Sequence, residues 1–404
     1  MQNSTEQTPR PHRTRKIIVA SVAVVALCTA ASAAIGAQWP EDAAPARNEQ
    51  VQKSLDGLVD ETGFPGALAA VTSDSGETTD YVSGFAEIGT DEPVPADGYV
   101  RIGSNTKMYV AVVVMQLADE GKISLDEPVE TYLPGVLAPF GADATTITVR
   151  QLLQHTSGLP NYTGAIVGEM DDMRYRYLAP RDLVDLAAEL PVSFAPGEKW
   201  EYSNTNYILA GLIIEKVSEH ALVTEIEQRI IEPLGLDETS FPNVGDTSIP
   251  SPHPQGYYSA VGEPLENYTE LDPAWAWAAG QMIATPSDLN RFMEAIVDGE
   301  LTSDAALAEM QKTVPADDIW KGARYGLGLM SYPVSCGGVA WGHGGDIPGF
   351  ETRNAAIPDG PSVTVAVTTL PGSLAEDEDD AYAIAGDVNG TLDDALCATP
   401  PTAG

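Results

Sequence analysis

Residues 101–120 have the sequence RIGSNTKMYVAVVVMQLADE, a polar start followed by a long apolar run. Gly121 follows the run directly, so the pattern predicts a buried helix that ends there. Ser104 and Lys107 form the only Ser-x-x-Lys in the chain, and their spacing places both on one helix face. A serine nucleophile needs a base within hydrogen-bond reach, and a lysine can serve once burial lowers its pKa. On this segment alone, the competing interpretation is a helix N-cap beside an exposed lysine.

The bulk composition allows a full core and argues against one class of partner. The chain has 404 residues, of which 43% are hydrophobic. Its 59 acidic and 21 basic residues give a formal net charge of -38. Proteins that follow a phosphate backbone need a basic face, so we expect no nucleic-acid partner.

The first residues predict a targeting segment. Basic residues precede an apolar run over 17–31, and Ala31-Ser32-Ala33 resembles a cleavage site. We therefore interpret residues 1–33 as a signal peptide, 34–47 as a linker, and the protein as secreted. The alternative is an uncleaved anchor, because residues 17–37 could just span a bilayer; membrane contact would then be limited to this segment.

The remaining pattern predicts one α+β domain over residues 48–397, followed by a tail over 398–404. Strands are expected at 66–72, 78–84, 338–342, 351–357 and 362–369, near the two ends of the domain. Helical periodicity dominates the middle, with helices expected over 181–190, 207–217 and 287–297, and an acidic helix is expected over 376–396. Together these predict an antiparallel sheet built from both termini and flanked by helices, with a mainly helical inserted region.

Four further motifs follow Ser104 in order: QLLQHTSGL at 151–159, Pro-Gly at 196–197, Tyr-Ser-Asn at 202–204, and WGHGG at 341–345. Over residues 50–396 the chain resembles class C β-lactamases, secreted D-alanyl-D-alanine carboxypeptidases and related esterases. These proteins carry S-x-x-K, Y-x-N and K/H-x-G elements in this order. The resemblance implies a β-lactamase/transpeptidase-like fold and a serine hydrolase that works through an acyl-enzyme.

The resemblance also implies roles for the residues of these motifs. Ser104 would be acylated, Lys107 would accept its proton, and Tyr202 would be a second proton carrier for the leaving group and the deacylating water. Asn204 would hold the substrate amide and orient Lys107. We interpret His155, in the 151–159 motif, as part of a structural turn.

The last motif would form the substrate-binding strand. His343 would stand on an edge strand, and Gly344 and Gly345 would let substrate lie against the backbone. The backbone N–H groups of Ser104 and Asp346 would form the oxyanion hole.

One departure from the family pattern bears on the substrate. The motif continues His-Gly-Gly-Asp, whereas carboxypeptidases and β-lactamases usually place hydroxyl residues where Gly344 and Asp346 stand. An Asp346 side chain facing the cleft would repel a carboxylate, although Arg324 or Arg353 could supply a replacement cation. The resemblance to this family favours a D-alanyl-D-alanine carboxypeptidase or β-lactamase-like peptidase. The alternatives are an esterase or amidase for uncharged short acyl substrates and a penicillin-binding protein with slow turnover.

We expect neither cofactor nor metal, and a small-molecule or peptide substrate such as a cell-wall peptide or β-lactam. No G-x-S-x-G occurs, which argues against an α/β-hydrolase. The four histidines after residue 33 include no H-x-H or H-x-x-x-H pair. Cys336 and Cys397 are the two cysteines of the exported part, and we expect them to pair; two separate buried thiols are the alternative.

Overall fold

The computed structural model describes residues 48–398 except 167, 169 and 318. The expected signal peptide, the linker and residues 399–404 lie outside the described residues. Across the described range, none of the helices combines the length and apolar character that crossing a bilayer requires.

An eight-stranded antiparallel sheet organises the domain, in the order β2-β1-β12-β11-β10-β9-β8-β7. The first strand pairs with the last, with Leu68 opposite Ala366, so the prediction of one sheet built from both termini is confirmed. Two small two-stranded sheets, β3-β6 and β4-β5, lie outside it. The strands of the described residues are β1 (Gly66–Thr72), β2 (Thr78–Gly84), β3 (Val100–Arg101), β4 (Tyr257–Tyr258), β5 (Glu266–Asn267), β6 (Ile283–Ala284), β7 (Val314–Pro315), β8 (Arg324–Tyr325), β9 (Met330–Pro333), β10 (Val339–Ile347), β11 (Phe350–Ala356) and β12 (Ser362–Val367).

Helices cover both faces of the sheet, which confirms the α+β class. α1 and α13 pack on one face around a core that includes Leu55, Val365 and Leu392. α2, α8 and α11 belong to a larger core on the other face. The helices are α1 (Glu49–Asp60), α2 (Thr106–Asp119), α3 (Val129–Tyr132), α4 (Val149–Leu153), α5 (Thr163–Ile166), α6 (Met170–Met173), α7 (Pro180–Ala188), α8 (Asn204–Ser218), α9 (Leu222–Ile226), α10 (Glu232–Leu234), α11 (Pro286–Val297), α12 (Asp304–Met310) and α13 (Glu378–Leu396).

α2 is buried on almost every side, as its apolar composition predicts. A short 3₁₀ turn over Gly103–Asn105 precedes it, so Ser104 lies on this turn and Lys107 in the first turn of the α-helix. Lys107 is completely buried and Ser104 only partly. A helix that is apolar on all sides needs neighbours on all sides, and α8 and α11 are among those that surround it.

β10 is longer than the sequence predicts, because the strand expected to end at Gly342 continues to Ile347. Its neighbour β9 pairs only with residues 339–342, whereas β11 pairs with residues 341–347. From His343 onward the strand therefore has β11 on one side and, among the described residues, no strand on the other. An inner strand thus offers a local free edge to the active site.

The two cysteines are joined as expected. Cys336 lies in the turn between β9 and β10, and Cys397 caps the end of α13. They form a disulfide with a Cα–Cα distance of 5.5 Å. The bond ties the last helix to the strand that leads into the substrate-binding edge.

Candidate active site

Ser104 and Lys107 are in direct contact at the start of α2. The Lys107 Nζ lies 2.9 Å from the Ser104 Oγ and 2.5 Å from the carbonyl oxygen of Ala279. Burial lowers the pKa of Lys107 well below its ordinary value, against the opposing effect of Asp346. A neutral amine can donate one hydrogen to the Ala279 carbonyl and direct its lone pair at the serine hydroxyl. This pair has the geometry of a nucleophile and its general base.

Tyr202 completes the proton path on the other side of the nucleophile. Its side chain is hydrogen-bonded to Ser104, and the Lys107 Nζ lies 5.0 Å from its ring centroid. Burial raises the pKa of Tyr202, with a smaller opposing contribution from the Ser104 hydrogen bond. The resting side chain is therefore a phenol, which suits it to passing a proton to a leaving group.

Two glycines allow β10 to press against the turn that carries Ser104. Gly103 has φ +48°, and a Cβ there would lie 2.8 Å from the Asp346 backbone nitrogen. A Cβ on Gly345 would lie 1.9 Å from the Ile102 carbonyl oxygen. Only glycine permits this approach, which brings the backbone of Asp346 next to that of Ser104. Each N–H donor of such an oxyanion hole contributes about 3 to 4 kcal/mol to catalysis.

His343 is held as a neutral, buried side chain. Its Nε2 lies 2.8 Å from the Tyr325 hydroxyl, and its Nδ1 lies 2.5 Å from the Gly344 carbonyl oxygen. Burial, reinforced by Lys107, lowers the pKa of His343 to about 3. At neutral pH this side chain therefore carries no positive charge that could attract a substrate carboxylate.

Arg353, a cation in the wall of the cleft, lies between two acidic side chains. The Arg353 Nη1 lies 2.9 Å from the Asp346 Oδ1, and its Nη2 lies 2.8 Å from the Glu351 Oε1. The Arg353 side chain is 15% exposed, and that of Asp346 is 55% exposed. Arg353 also fills the space beside Gly344, where a Cβ would lie 2.9 Å from its Nη1. Burial raises the pKa of Glu351 to about 8 although Arg353 opposes this.

Two cavities meet at Ser104. The larger has a volume of about 1010 Å³ and the smaller about 200 Å³; both are lined by Ser104, Asn204 and Asp346. Tyr202 and Arg353 line only the larger one, together with His343 and Gly344. The smaller one is mainly apolar, with Tyr162, Met170, Tyr258, Trp275, Ala276, Ile347 and Leu370 in its wall.

The structure thus brings the predicted residues of all three motifs to one place. Asn204 begins α8, and its backbone nitrogen donates to the Asn161 Oδ1 at 3.1 Å. Asn204 lines both cavities, whereas Lys107 donates to Ser104 and to the Ala279 carbonyl. Arg324 lies elsewhere, where its Nε donates to the Thr313 Oγ1.

Three contributors to the site were not anticipated: the Ala279 carbonyl, Tyr325 and Glu351. The first two have no local sequence signal. Glu351 and Arg353 alternate on β11, opposite Asp346 and Gly344 of β10, so the register of these two strands would have revealed their pairing. Within the described residues, no group of three or more histidine, cysteine or acidic side chains is placed to hold a metal ion.

Two solved structures with the same architecture are an amidohydrolase and an amidase. The D-stereospecific amidohydrolase from Streptomyces sp. is 36% identical with a TM-score of 0.76, covering 83% of this chain and 98% of that one. The D-amino acid amidase from Ochrobactrum anthropi SV3, solved with L-phenylalanine amide, is 27% identical with a TM-score of 0.74, covering 86% and 98%.

The curated relatives and the family model agree with this picture. Penicillin-binding protein 4 of Amycolatopsis lactamdurans is 28% identical over 338 residues, which cover 80% of this chain and 84% of that protein. The beta-lactamase family model matches residues 51–388, a range that contains the nucleophile, its base, the tyrosine and the substrate-binding strand. The chain is therefore a member of the beta-lactamase family of serine hydrolases.

Proposed function

We propose that this protein is a serine amidohydrolase that acts on amides and esters of D-amino acids and does not require a carboxylate beside the scissile bond. The observation that carries the proposal is the position of Arg353, which is paired with both Asp346 and Glu351. A guanidinium whose charge is already offset by the Asp346 carboxylate, and whose other nitrogen contacts the buried Glu351 carboxyl group, attracts a substrate carboxylate only weakly. His343, being neutral, adds no positive charge.

The smaller cavity, which would hold the acyl side chain of the substrate, and the related structures support the same substrate class. The smaller cavity has an apolar wall that suits one apolar side chain. The two related proteins above are a D-stereospecific amidohydrolase and a D-amino acid amidase. We extend their stereochemistry and bond type to this chain as part of the proposal.

The reaction follows from the contacts of three side chains. Ser104 Oγ attacks the carbonyl carbon while its proton passes to the Lys107 Nζ, and the developing oxyanion is held by the Ser104 and Asp346 backbone N–H groups. The C–N bond then breaks, and the departing amine takes a proton from the Tyr202 hydroxyl, which is replenished from Lys107. Water hydrolyses the acyl-enzyme by the same path in reverse, releasing the acid and restoring Ser104.

A comparison of substrates that differ in charge tests this proposal. We expect kcat/KM for D-phenylalaninamide to exceed that for a D-Ala-D-Ala peptide with a free carboxylate by at least about tenfold, which corresponds to about 1.4 kcal/mol. L-Phenylalaninamide serves as the stereochemical control. Faster release of D-alanine, or rapid turnover of a penicillin, would contradict the proposal.

A carboxypeptidase or β-lactamase-like peptidase remains the second candidate, and one observation favours it. Arg353 lines the larger cavity beside Ser104, so a substrate carboxylate could compete with Asp346 for it. The penicillin-binding relative is consistent with this alternative. An ester substrate would use the same acyl-enzyme chemistry under either function.

Replacing Asp346 with threonine should shift the preference toward carboxylate-bearing substrates. The change removes the carboxylate that accepts from the Arg353 Nη1, leaves Arg353 in contact with the Glu351 carboxyl group, and adds a hydroxyl at the edge of the cleft. We expect the kcat/KM ratio of a D-Ala-D-Ala peptide to D-phenylalaninamide to rise about tenfold. Asp346→Asn, which removes the charge without adding a hydroxyl, separates the two effects. An unchanged ratio in both variants would show that Arg353 does not reach substrate.

We also propose that the protein is exported, as residues 1–33 predict. The Cys336–Cys397 disulfide supports this, because such bonds persist mainly in oxidising compartments.

The cysteines are 61 residues apart, so replacing both with serine should lower the free energy of unfolding by about 4 kcal/mol. Urea unfolding of the two proteins would measure this loss. Two titratable thiols in the purified native protein would contradict the expected bond.

A further inference from the structure

The two cavities at Ser104 divide the substrate into an acyl part and a leaving group. The departing amine must receive its proton from Tyr202, and Tyr202 lines only the larger cavity. The leaving group therefore lies in the larger cavity. The acyl side chain occupies the smaller one, which Tyr202 does not reach.

The two volumes set different limits on these parts. An apolar cavity of about 150 Å³ holds one benzene molecule, so about 200 Å³ suits a single side chain. The leaving-group cavity, about 1010 Å³, is as large as sites that bury a drug-sized ligand. Ammonia, the product of a simple amide, would leave nearly all of it unused.

The walls of the larger cavity suit an extended chain. One wall is the free edge of β10 from His343 onward, where an extended peptide can add its backbone as a strand. The rest of the lining includes Trp320, Tyr332 and the second half of α13, with two glycines, Gly386 and Gly390. A Cβ on either glycine would meet nothing within 4 Å, so side chains can be added here, where the larger cavity adjoins a neighbouring groove.

We propose that the leaving group of the natural substrate is a peptide of several residues, held between the β10 edge and α13. This inference rests on the proposed function and specifies its substrate. The balanced reaction cleaves the amide bond that joins the acyl residue to the peptide. Water supplies the hydroxyl of the released acid, and the freed peptide amine retains the proton that it received through Tyr202.

A pair of substrates with the same scissile bond tests the proposal. D-Phe-Ala-NH₂ and D-Phe-Ala-Ala-Ala-NH₂ differ only beyond the first leaving-group residue, and both are uncharged at the C-terminus. We expect kcat/KM to be at least about tenfold higher for the longer one, equivalent to about 1.4 kcal/mol. Equal values would overturn the inference while leaving the proposed function standing. Failure of the proposed function would instead appear as no hydrolysis of any D-phenylalanyl amide.

Substitutions on α13 that fill the larger cavity test where the peptide leaving group binds. Gly390→Phe and Gly386→Phe should fold, because the added side chains meet open space and replace residues with poor helix propensity. They should remove the advantage of D-Phe-Ala-Ala-Ala-NH₂ over D-Phe-Ala-NH₂, a ratio measured within each variant. Gly57→Phe is the matched control: this helical glycine also faces open space, but it lines only the neighbouring groove, which Gly386 and Gly390 border as well, and not the larger cavity. An unchanged advantage in the two α13 variants would overturn the proposed location.

A second and independent observation concerns His155, the histidine of the 151–159 motif. Its carbonyl oxygen accepts from the Glu201 backbone nitrogen at 3.0 Å, and its Nδ1 accepts from the Ser203 backbone nitrogen at 3.2 Å. These donors are the two residues that flank Tyr202. The His155 ring also packs on the Tyr202 ring, with 4.3 Å between centroids.

The backbone of His155 is specialised for this double contact. It has φ +58°, a conformation that histidine and asparagine tolerate better than most residues. Asn206 Nδ2 lies 3.0 Å from the same Nδ1, and the side chain is fully buried. With two donors directed at Nδ1, the proton of the neutral ring resides on Nε2. We infer that His155 is a positioning residue, which fixes the backbone on both sides of Tyr202 and thereby aims its hydroxyl at Ser104.

A double-mutant cycle separates positioning from general stability. His155→Phe keeps a ring but loses the Nδ1 acceptor, and we expect kcat to fall at least about tenfold with KM within twofold. His155→Asn tolerates the backbone conformation and places an oxygen near the Nδ1 position, so it should recover most of kcat. If the phenylalanine variant does not fold, His155→Ala takes its place in the cycle. Adding His155→Phe, or His155→Ala in its place, to Tyr202→Phe should cost little further activity. A loss equal to the sum of the two single losses would overturn the inference.

Discussion

Replacing Ser104 with alanine should reduce turnover of every substrate by about 10⁴-fold or more. The hydroxyl oxygen is the atom that forms the acyl-enzyme, and both proton carriers, Lys107 and Tyr202, are hydrogen-bonded to it. Losses of this size follow when the nucleophile of a serine hydrolase is removed, because only the oxyanion hole and substrate binding then remain. Turnover of D-phenylalaninamide and of p-nitrophenyl acetate measures the effect.

Mass spectrometry of the intact protein gives a direct readout of the same residue. A covalent adduct formed with a slowly hydrolysed acyl donor should be present in the wild-type protein and absent from the Ser104→Ala variant. Ser335→Ala is the matched control, because Ser335 lines the same larger cavity away from the reacting atoms. An adduct on the Ser104→Ala variant, or activity above about 1% of wild type, would show that another residue is the nucleophile.

Replacing Lys107 with arginine should lower kcat/KM by about 10²- to 10⁴-fold, the range that a general base contributes. Burial holds the pKa of Lys107 far below its ordinary value, so the amine is neutral and can accept the Ser104 proton. A guanidinium remains protonated and cannot accept it. Initial rates of ester and amide hydrolysis measure the loss.

The pH dependence of the wild-type enzyme should also reflect the protonation of Lys107. Protonation of Lys107 removes the base, so activity falls as the pH decreases through the lowered pKa of this residue and is retained above it. Lys321→Arg is a suitable control, because Lys321 lines the larger cavity but is exposed to solvent. Near-normal activity in the Lys107→Arg variant would exclude Lys107 as the base and leave Tyr202 as the remaining candidate.

Much of the fold followed from the sequence because its signals are local. The strands β1 and β2 were predicted with their observed bounds. The predicted ends of α7, α8, α11 and α13 lie within three residues of the observed ends. Alternation and helical periodicity record which face of each segment is buried. The short strands β7, β8 and β9 were not anticipated, since segments of two to four residues are too short to show a period.

The chemistry of bond cleavage was determined by the sequence itself, and the choice of substrate by the tertiary structure. A three-residue helical spacing brings Ser104 and Lys107 together wherever the helix lies, and glycines at 103 and 345 mark the backbone approach that the oxyanion hole requires. The lowered pKa of Lys107 and the two cavities depend on segments far apart in the chain, and the pairing of Arg353 with Asp346 and Glu351 depends on the register of β10 and β11. Their contacts arise from strand register and from the packing of β10, β11 and α13, which no local pattern records.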